Sequence, residues 1–400
     1  MQGPCSKLEL YEDSCSAPNL AITASLRHNP AVVQKLDVIV IGAGVVGAAC
    51  AWRLASAGLK VMVLDRQAPG SGASQAALGV LGFHARPQMP AAFDHLCRQS
   101  RRFYPAIVDE LREVTGQAPD YRSCGQLSVA LNEGDLAQLE EDYLANVAQG
   151  VQVERPTPEE CQLLAPGLNR QVCGALFLPD DAWVDNTTLT LTIVRAAEQA
   201  GAAFQREEVQ EVIKKSGRVS GVRVSGELWP AGWVVIAAGC WSGQMAGGPP
   251  LPVQPVRGQA LMVAGQPIRR IVMSPRGYLV PKGDRQTMIG ATVERVGFAG
   301  ANTLGGIREI AEAGLEIAPN LRRNEFLGAW TGLRPGTPDN LPFIGPFGEW
   351  PNLIAATGHF RNGILLAPIT AAMVRSVITG EMPPTDLEPF SPDRIVSRRN

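Results

Sequence analysis

The hydrophobic pattern of the chain becomes regular only after the first 35 residues. Asp37–Ile41 is a short run of mostly β-branched residues, which is typical of a strand buried on both faces. The alanine-rich stretch Gly47–Ala57 predicts a helix, and Leu59–Leu64 predicts a second buried strand that stops at Asp65. A strand, a helix and a second strand in this order form half of a nucleotide-binding sheet.

The rest of the chain alternates between further helix and strand patterns. The predicted helices lie within 91–143 and at Thr187–Ala202, Leu304–Ile317 and Gly363–Ile378. The predicted strands are Gly125–Leu131, Val209–Ile213, Val219–Val224, Trp233–Ala238, Gly258–Val263, Tyr278–Pro281, Met288–Thr292 and Leu353–Thr357. Segments typical of a nucleotide-binding sheet occur at the start, the middle and the end, while the segments between them predict a separate mixed sheet.

A glycine motif joins the first predicted strand to the first predicted helix. In Gly42-x-Gly44-x-x-Gly47, the first glycine makes a tight turn and the second lets the backbone approach a pyrophosphate. The third glycine lets the helix pack closely on the strand. The amides of Val45–Val46 at the helix N-terminus would face the phosphates, and Asp65 is placed to accept hydrogen bonds from ribose hydroxyls. These features predict a dinucleotide site.

The glycine motif alone does not separate NAD from FAD, but three features of its surroundings favour FAD. The motif opens the regular part of the chain, and the glycine- and serine-rich segment Pro69–Gly82 follows the acidic residue directly. A second strand that ends in glycine, Val234–Gly239, comes much later, as expected where a flavin contacts its domain along its whole length. The further candidate cofactor-binding residues in these segments are Arg66, Ala73, Ser74, Leu78, Gly79, Val80, Gly82, Val209 and Gly239.

The predicted fold class is therefore α/β, with a Rossmann-like FAD-binding domain interleaved with a mixed-sheet, α+β substrate-binding domain. The FAD-binding domain is predicted to comprise 36–92, 179–248 and 325–385, and the substrate-binding domain 93–178 and 249–324. Residues 1–35 are polar and show no repeating period, so we expect a disordered or non-native extension there. Residues 386–400 are predicted to form a C-terminal tail.

Two long motifs near the C-terminal end, Trp330–Gly345 and Gly358–Pro368, resemble glycine oxidases of the ThiO type, within the D-amino acid oxidase superfamily. The segments Ala73–Gly82, Tyr278–Pro281 and Gly290–Thr292 are also similar to that family, so the resemblance spans roughly residues 36 to 382. Several motifs in the right order make a chance match a poor explanation.

The resemblance implies roles for individual residues. Arg334 would pair with the carboxylate of the substrate, with Tyr278 donating a second hydrogen bond to it and Arg361 as a further catalytic candidate. A guanidinium fork matches a carboxylate bidentately and stays charged at any working pH. The segment that would serve the flavin, mainly through backbone N–H groups and a helix dipole, comprises His359, Phe360, Arg361, Asn362, Gly363, Ile364 and Leu365. His359 is not expected to act as a base.

The resemblance also implies an activity. The expected reaction is FAD-dependent oxidative deamination of glycine and small primary or secondary amines, such as sarcosine and D-alanine, to the 2-oxo acid. Hydride would pass from Cα to flavin N5, with O2 reduced to H2O2, and the glycine imine would supply thiamine biosynthesis. Sarcosine oxidases with covalent flavin carry a cysteine where this chain has Leu333–Arg334, so we expect non-covalent FAD.

Three alternatives remain open. The same motifs resemble FAD-dependent dehydrogenases, such as D-amino acid dehydrogenase or the hydrogen cyanide synthase subunit, which pass electrons to another acceptor. A flavin-binding subunit without its own turnover is a second alternative. Oxidation of a bulkier N-substituted glycine such as iminodiacetate is a third. Phe83 bears on the third, because it either faces the entrance of the active site or packs behind the loop.

Charge and composition narrow the list of partners. The net charge of −2 offers no basic stripe for nucleic acid, and no run of about 18 apolar residues predicts a membrane span. The eight cysteines are scattered without a Cys-x-x-Cys pair, which predicts mostly buried free thiols in a reducing, cytoplasmic compartment. The four histidines show no metal-binding spacing. The expected partners are a small amino acid and O2, in a homo-oligomer.

Overall fold

The first of two large sheets contains the strand pair expected from the N-terminal pattern. In a computed structural model that describes residues 36–82 and 89–395, its strands in spatial order are β16 (Phe343–Phe347), β17 (Trp350–Thr357), β10 (Glu227–Ile236), β1 (Leu36–Ile41), β2 (Val61–Asp65) and β7 (Ala203–Arg206). The strands from β17 to β7 are parallel, and β16 is an antiparallel edge. β8 (Val209–Lys215) and β9 (Arg218–Val224) extend β10 as antiparallel strands.

Helices cover the parallel sheet, because its β-branched side chains are buried on both faces. One apolar core contains side chains of β1 together with side chains of α1 (Val45–Ser56), α3 (Ala91–Thr115), α6 (Asn186–Gln199) and α8 (Gly363–Thr379). The second face packs against the β8–β9 pair in another cluster that includes Ile39 and Val222. The carboxyl ends of these parallel strands lie at one edge of the sheet, where open α/β folds bind their ligands.

The second sheet is mixed, as the sequence predicted. Its strands in spatial order are β15 (Phe326–Gly336), β11 (Gln254–Ala264), β14 (Gln286–Gly290), β13 (Tyr278–Lys282), β12 (Ile271–Met273), β4 (Gln126–Ala130) and β5 (Gly174–Leu178). Only the β12–β4 pair is parallel within this described sheet. The remaining elements are α2 (Ala73–Ala76), α4 (Glu133–Ala148), α5 (Pro158–Leu164), α7 (Leu304–Ile317) and a small sheet of β3 (Tyr121–Ser123) with β6 (Ala182–Val184).

The structure corrects the placement of two elements. Phe326–Gly336 was expected with the nucleotide-binding sheet, but it pairs with Gln254–Ala264 in the second sheet over its whole length. The helix Ala91–Thr115 was expected with the substrate-binding domain, but its buried side chains share the core of the first sheet. Strand and helix periodicity indicates which face of an element is buried, not which sheet it joins. The described residues belong to one compact unit, so the two-domain division remains a prediction, whereas the α/β fold class is confirmed.

Cysteine chemistry in the described part of the chain agrees with the sequence. Cys50, Cys97, Cys161 and Cys240 are buried free thiols, Cys124 is half-buried and Cys173 is exposed. Burial raises the pKa of Cys50 and of Cys240 to about 12, so both remain protonated. Across residues 36–82 and 89–395, His, Cys, Asp and Glu side chains form no cluster that could hold a metal ion. No helix within those ranges is long and apolar enough to cross a bilayer.

Candidate cofactor and substrate site

A cavity of about 1240 Å³ lies against both sheets. Its wall combines the Gly42 turn at the edge of the first sheet with Gly258 on β11, Tyr278 on β13 and Arg334 on β15 of the second. Pockets for drug-sized ligands usually measure about 300 to 1,000 Å³, so this cavity holds more than a single amino acid. Its position, outside the carboxyl ends of parallel strands, is the usual ligand site of an open α/β sheet.

The glycine motif adopts the geometry expected of it. Gly42 has a φ of +106°, and a Cβ there would lie 2.5 Å from the carbonyl oxygen of Ala237, so only glycine fits this turn. A Cβ on Gly47 would overlap the carbonyl oxygen of Gly42, which is the close approach of helix and strand predicted from the sequence. Gly44 borders the cavity directly.

Asp65 and Ser74 hold the N-terminus of α1 in place. The Asp65 carboxylate accepts hydrogen bonds from the backbone N–H of Ala43 at 2.7 Å and of Gln67 at 2.8 Å. The Ser74 hydroxyl accepts from the N–H of Val45 at 2.9 Å. The N-cap residue of α1 is Gly44, which has no side chain to cap the helix. The positive end of the helix dipole therefore borders the cavity, where it would stabilise a phosphate.

Next to Asp65 in the chain, the side chain of Arg66 packs with those of Trp241 and Glu208. Of these three residues only Arg66 was predicted from the sequence. The guanidinium of Arg66 stacks 4.6 Å from the ring centroid of Trp241, with Glu208 3.6 Å from Arg66. The ring of Phe298 is 5.7 Å from that of Trp241. Trp241 follows the predicted Val234–Gly239 element by two residues, and its position at the cavity depends on the short 3-10 helix Gly239–Gln244.

Arg334 lines the cavity from the second sheet. This residue stands opposite Val256 in the β15–β11 pair, and its guanidinium crosses β11 at Gly258, where a Cβ would overlap it. Its Nη1 donates to the carbonyl of Thr292 at 3.0 Å and to that of Arg257 at 3.4 Å. No carboxylate of the described chain lies within ion-pair distance of it. The cavity therefore contains a guanidinium charge that no carboxylate among residues 36–82 and 89–395 neutralises.

Tyr278 lies in the same cavity on β13. A Cβ on Gly290 would lie 3.2 Å from the Tyr278 hydroxyl oxygen and 2.8 Å from the side chain of Leu78, so the ring and Leu78 both contact the backbone of Gly290. Among the described residues the hydroxyl of Tyr278 has no hydrogen-bond partner, which leaves it available to a ligand.

The segment before α8 forms another part of the wall. His359 is buried, and its Nε2 is 3.0 Å from the hydroxyl oxygen of Thr370 on α8. Burial lowers the pKa of His359 to about 3, so the imidazole is neutral at any working pH. Phe360 has a φ of +49°, and its N–H donates to the carbonyl of Pro335 at 2.9 Å. The segment is thereby fastened to both β15 and α8.

The N-terminus of α8 also borders the cavity. Its N-cap residue Asn362 makes no side-chain capping bond, and Gly363 and Ile364 of the first turn line the wall. Arg361 is exposed, with its guanidinium 5.2 Å from the ring centroid of Phe360. Two helix dipoles, those of α1 and α8, therefore point their positive ends at one cavity.

Nearly all residues predicted for the site lie in the wall of this cavity. They are Gly42, Gly44, Val45, Val46, Asp65, Arg66, Ala73, Ser74, Leu78, Gly79, Val80, Gly82, Val209, Gly239, Tyr278, Arg334, His359, Phe360, Arg361, Asn362, Gly363 and Ile364. Gly47 and Leu365 are the exceptions: each is buried beside the wall, where it packs and does not face the cavity. Phe83 lies outside the described residues.

Sequence reasoning missed several wall residues of the second sheet and its loops. They are Gly258, Ala260, Met273, Ser274, Arg276, Ala291, Val293 and Gly332. Most are small or apolar residues within strand patterns, where no residue type signals a ligand. Their place in the wall follows from strand pairing, which brings β11 between β15 and β14.

The cavity fits FAD. It offers the N-termini of α1 and α8 for anionic groups, the glycine turn for close approach to a pyrophosphate, and room beyond what one amino acid fills. The guanidinium of Arg334 offers a separate place for a carboxylate, on the second sheet. The residues present are thus those that a dinucleotide and a small acid require together.

Comparisons with known proteins agree with this geometry. The protein-family model described as FAD dependent oxidoreductase (DAO) matches residues 37–376. The glycine oxidase of Geobacillus kaustophilus is 32% identical over 92% of this chain and 99% of its own length. The crystal structure of glycine oxidase from that organism has a TM-score of 0.86 and covers 90% of this chain and 99% of that one.

Two further relatives differ in their names. The iminodiacetate oxidase from Chelativorans is 27% identical, with a TM-score of 0.81 over 89% of this chain and 98% of that one. The bifunctional protein ThiO/ThiG of Synechocystis is 35% identical over 91% of this chain but only 55% of its own length. The chain thus spans about half the length of its bifunctional relatives. The resemblance to glycine oxidases is confirmed, and the chain belongs to the DAO family of FAD dependent oxidoreductases.

Proposed function

We propose that this protein oxidises glycine and small amines, such as sarcosine and D-alanine, to the 2-oxo acid, ammonia or amine, and hydrogen peroxide. Arg334 carries the proposal, because its guanidinium lies in the cavity and no carboxylate of the described residues forms an ion pair with it. An amino acid substrate brings such a carboxylate. For glycine, the balanced reaction consumes one O2 and one water and yields glyoxylate, ammonia and hydrogen peroxide.

The residues of the chain act mainly by holding the substrate. The guanidinium of Arg334 would donate hydrogen bonds to the substrate carboxylate through its free N–H groups, and the Tyr278 hydroxyl would donate a further one. Fixing the carboxylate at two points fixes the position of Cα, and such positioning lowers the barrier by removing translational and rotational freedom of the substrate. FAD, when bound, supplies the acceptor for the hydride and the route by which electrons reach O2.

The wall provides no histidine base for the amine. Within the described part of the wall His359 is the one histidine, and its buried ring is neutral and bonded to Thr370. We therefore expect the substrate amine to lose its proton to solvent before reaction. We expect activity to rise with pH as the neutral amine becomes more abundant.

Reduction of the bound flavin by a set of amine substrates tests this proposal. Purified yellow protein is mixed without oxygen with glycine, sarcosine, D-alanine, D-proline and iminodiacetate, and bleaching of the flavin absorbance near 450 nm is followed. Peroxide is then measured in air with a coupled peroxidase. Bleaching and peroxide formation with glycine or a small amine support the proposal. Silence toward glycine, sarcosine and D-alanine alike would contradict it, and turnover with an artificial dye but no peroxide would indicate a dehydrogenase.

The product of the reaction has a proposed destination. Relatives with the name bifunctional protein ThiO/ThiG match this chain over about half of their own length. This supports a supply of glycine imine to thiamine biosynthesis. Expression of the chain in a bacterium that lacks its own glycine oxidase should remove its requirement for thiamine, and an Arg334→Met variant should not.

We also propose that FAD binds non-covalently, that the protein is cytoplasmic and that it forms a homo-oligomer. The four buried free thiols are suited to a reducing compartment. Leu333 and Arg334 lie on β15, at the place where sarcosine oxidases with covalent flavin carry a cysteine. Light scattering on the purified protein would decide the oligomeric state, with a single-chain mass contradicting the expectation.

A further inference from the structure

The segment 291–303, between β14 and α7, is fastened to β11 by a network of polar side chains. Arg257 and Glu294 exchange two backbone hydrogen bonds, at 2.8 and 2.9 Å, as neighbours in an antiparallel bridge. Gln259, fully buried on β11, reaches the far end of the segment, where its amide oxygen accepts from the N–H of Thr303 at 2.8 Å. The segment is thus attached at both ends.

The Glu294 carboxylate is the centre of this network. It accepts hydrogen bonds from the guanidinium of Arg257, from Gln259 Nε2 at 2.7 Å and from the Thr292 hydroxyl at 2.6 Å. The hydrogen bond from Arg257, with those from Thr292 and Gln259, lowers the pKa of Glu294 to about 2 although burial opposes it. The carboxylate is therefore ionised through the working range of pH, and it accepts from all three donors at once.

Thr292 joins this network to the substrate arginine. Its hydroxyl is bonded to Glu294 and accepts from the backbone N–H of Gln259 at 2.9 Å, while its carbonyl accepts from Arg334 Nη1 at 3.0 Å. Because the guanidinium also lies flat against Gly258, one edge of the fork is fixed and the other N–H groups stay free for a ligand.

The ion pair in this network leaves the charge of Arg334 unpaired among the described residues. Arg257 and Arg334 are close enough that the Arg257 carbonyl accepts from Arg334 at 3.4 Å, and the Arg257 side chain is only 7% exposed. Glu294 pairs with Arg257 and not with Arg334. The Glu294 carboxylate thereby neutralises the guanidinium of Arg257, and the charge of Arg334 is left for the substrate.

We propose that Glu294 is a positioning residue for substrate binding: through Thr292 it fixes the guanidinium of Arg334 in the orientation that receives a carboxylate. This inference rests on the proposed function, since it takes Arg334 as the carboxylate-binding residue. Glu294 itself touches no substrate in this scheme. Its effect should therefore appear in the affinity for carboxylates and depend on Arg334.

The test measures carboxylate binding, which needs no turnover. Glycolate, a carboxylate without the amine, is titrated into the FAD-loaded enzyme, and its Kd is read from the shift of the flavin spectrum. Glu294→Gln, which keeps the shape and removes the charge, should raise this Kd about tenfold, since neighbours in one network couple strongly. The KM for glycine should rise with it, while kcat changes far less.

A double-mutant cycle separates positioning from general structural damage. In the Arg334→Met background, Glu294→Gln should produce no further change in the Kd for glycolate. Thr292→Val, which removes the hydroxyl and keeps the carbonyl, should act in the same direction as Glu294→Gln. Glu312→Gln on α7, a matched change in an exposed ion pair with Arg308, should leave the Kd unchanged.

The outcomes are distinct. The inference is overturned if Glu294→Gln has the same effect on the Kd with and without Arg334. It is also overturned if folded Glu294→Gln and Thr292→Val leave the Kd for glycolate unchanged, or if the unmodified enzyme binds no glycolate. A wild-type enzyme that binds glycolate through Arg334 but oxidises neither glycine nor the small amines would refute the proposed function alone, and the cycle would still decide on Glu294.

Discussion

Arg334 and Gly258 lie on neighbouring strands and depend on each other. The guanidinium occupies the space that a side chain on Gly258 would fill, so a large charged group reaches the cavity across the backbone of β11. The motif around Arg334 was visible in the sequence, and its role followed from resemblance. The role of Gly258 was not visible, because it depends on which strand pairs with β15.

Replacement of Gly258 by alanine should displace Arg334. The backbone of Gly258 has no positive φ, so alanine is compatible with the strand itself, and the added Cβ would overlap the guanidinium. We expect KM for glycine to rise by about tenfold or more, since a misplaced fork loses one charge-assisted hydrogen bond worth about 1.5–3 kcal/mol. Steady-state kinetics and circular dichroism would measure this.

A matched glycine provides the control. Gly305, in the first turn of α7, has open space where a Cβ would lie. Gly305→Ala should leave KM unchanged and raise stability by up to about 1 kcal/mol, because alanine favours a helix over glycine. An equal KM for Gly258→Ala and the wild type would contradict the contact between Gly258 and Arg334.

Replacement of Arg334 itself should have a larger effect. Arg334→Lys keeps the charge but loses the fork, so kcat/KM for glycine should fall by about 100-fold, the equivalent of about 3 kcal/mol from lost charge-assisted hydrogen bonds. Arg308→Lys, an exposed change on α7, should leave the kinetics unaltered. Retention of more than a tenth of the wild-type kcat/KM by Arg334→Lys would argue against a bidentate contact.

At the scale of elements, most predicted helices and strands are present, but the 11-residue strand Phe326–Gly336 and several short strands were not predicted. The helix Leu304–Ile317 has the bounds that its apolar spacing indicated, and the pair β1–β2 with α1 is present as predicted. Ile271–Met273 was missed, because three residues are too short to show a period. The network around Glu294 was missed for a different reason: its members are near each other only after β11 and segment 291–303 are paired.

The segment before α8 should make stability depend on pH. Burial lowers the pKa of His359 to about 3, below its ordinary value near 6.5. Between these two values the unfolded chain binds a proton that the folded chain excludes, so this contribution is complete above about pH 6.5 and lost as pH falls toward 3. His359→Gln should flatten that part of the profile.

Urea unfolding between pH 4.5 and 8 would measure this effect. The wild type should lose more unfolding free energy on acidification than His359→Gln does. The exposed residue His95 provides the control, since His95→Gln should leave the pH dependence of the wild type in place. Parallel profiles for the wild type and His359→Gln would contradict a neutral, buried His359.

At the scale of the whole molecule, FAD should bind reversibly and stabilise the fold. The cavity wall draws on both sheets, so the cofactor would connect elements that pack in separate apolar clusters. A ligand at 100 times its Kd adds about 2.7 kcal/mol to the free energy of unfolding. We expect removal of FAD to lower Tm by several degrees and its return to restore the original value.

Acid precipitation of the yellow protein provides the second measurement for the same expectation. Because the chain has Leu333–Arg334 where a covalent flavin would need a cysteine, the colour should appear in the supernatant. A yellow pellet after repeated washing would show a covalent link. Thermal shift with and without added FAD distinguishes a stabilising cofactor from one that binds without effect.

The order of strands in the first sheet has a consequence for how the protein is made. The parallel neighbours β1, β10 and β17 begin at residues 36, 227 and 350, and the cavity wall extends to Ile364. A ribosome that adds roughly 5–20 residues per second needs about 20 to 70 s to reach that residue. β1 lacks its neighbour β10 until residue 236 is made, and β10 lacks β17 until residue 357 is made. We therefore expect the nascent chain to need protection from aggregation and the cofactor to bind after synthesis.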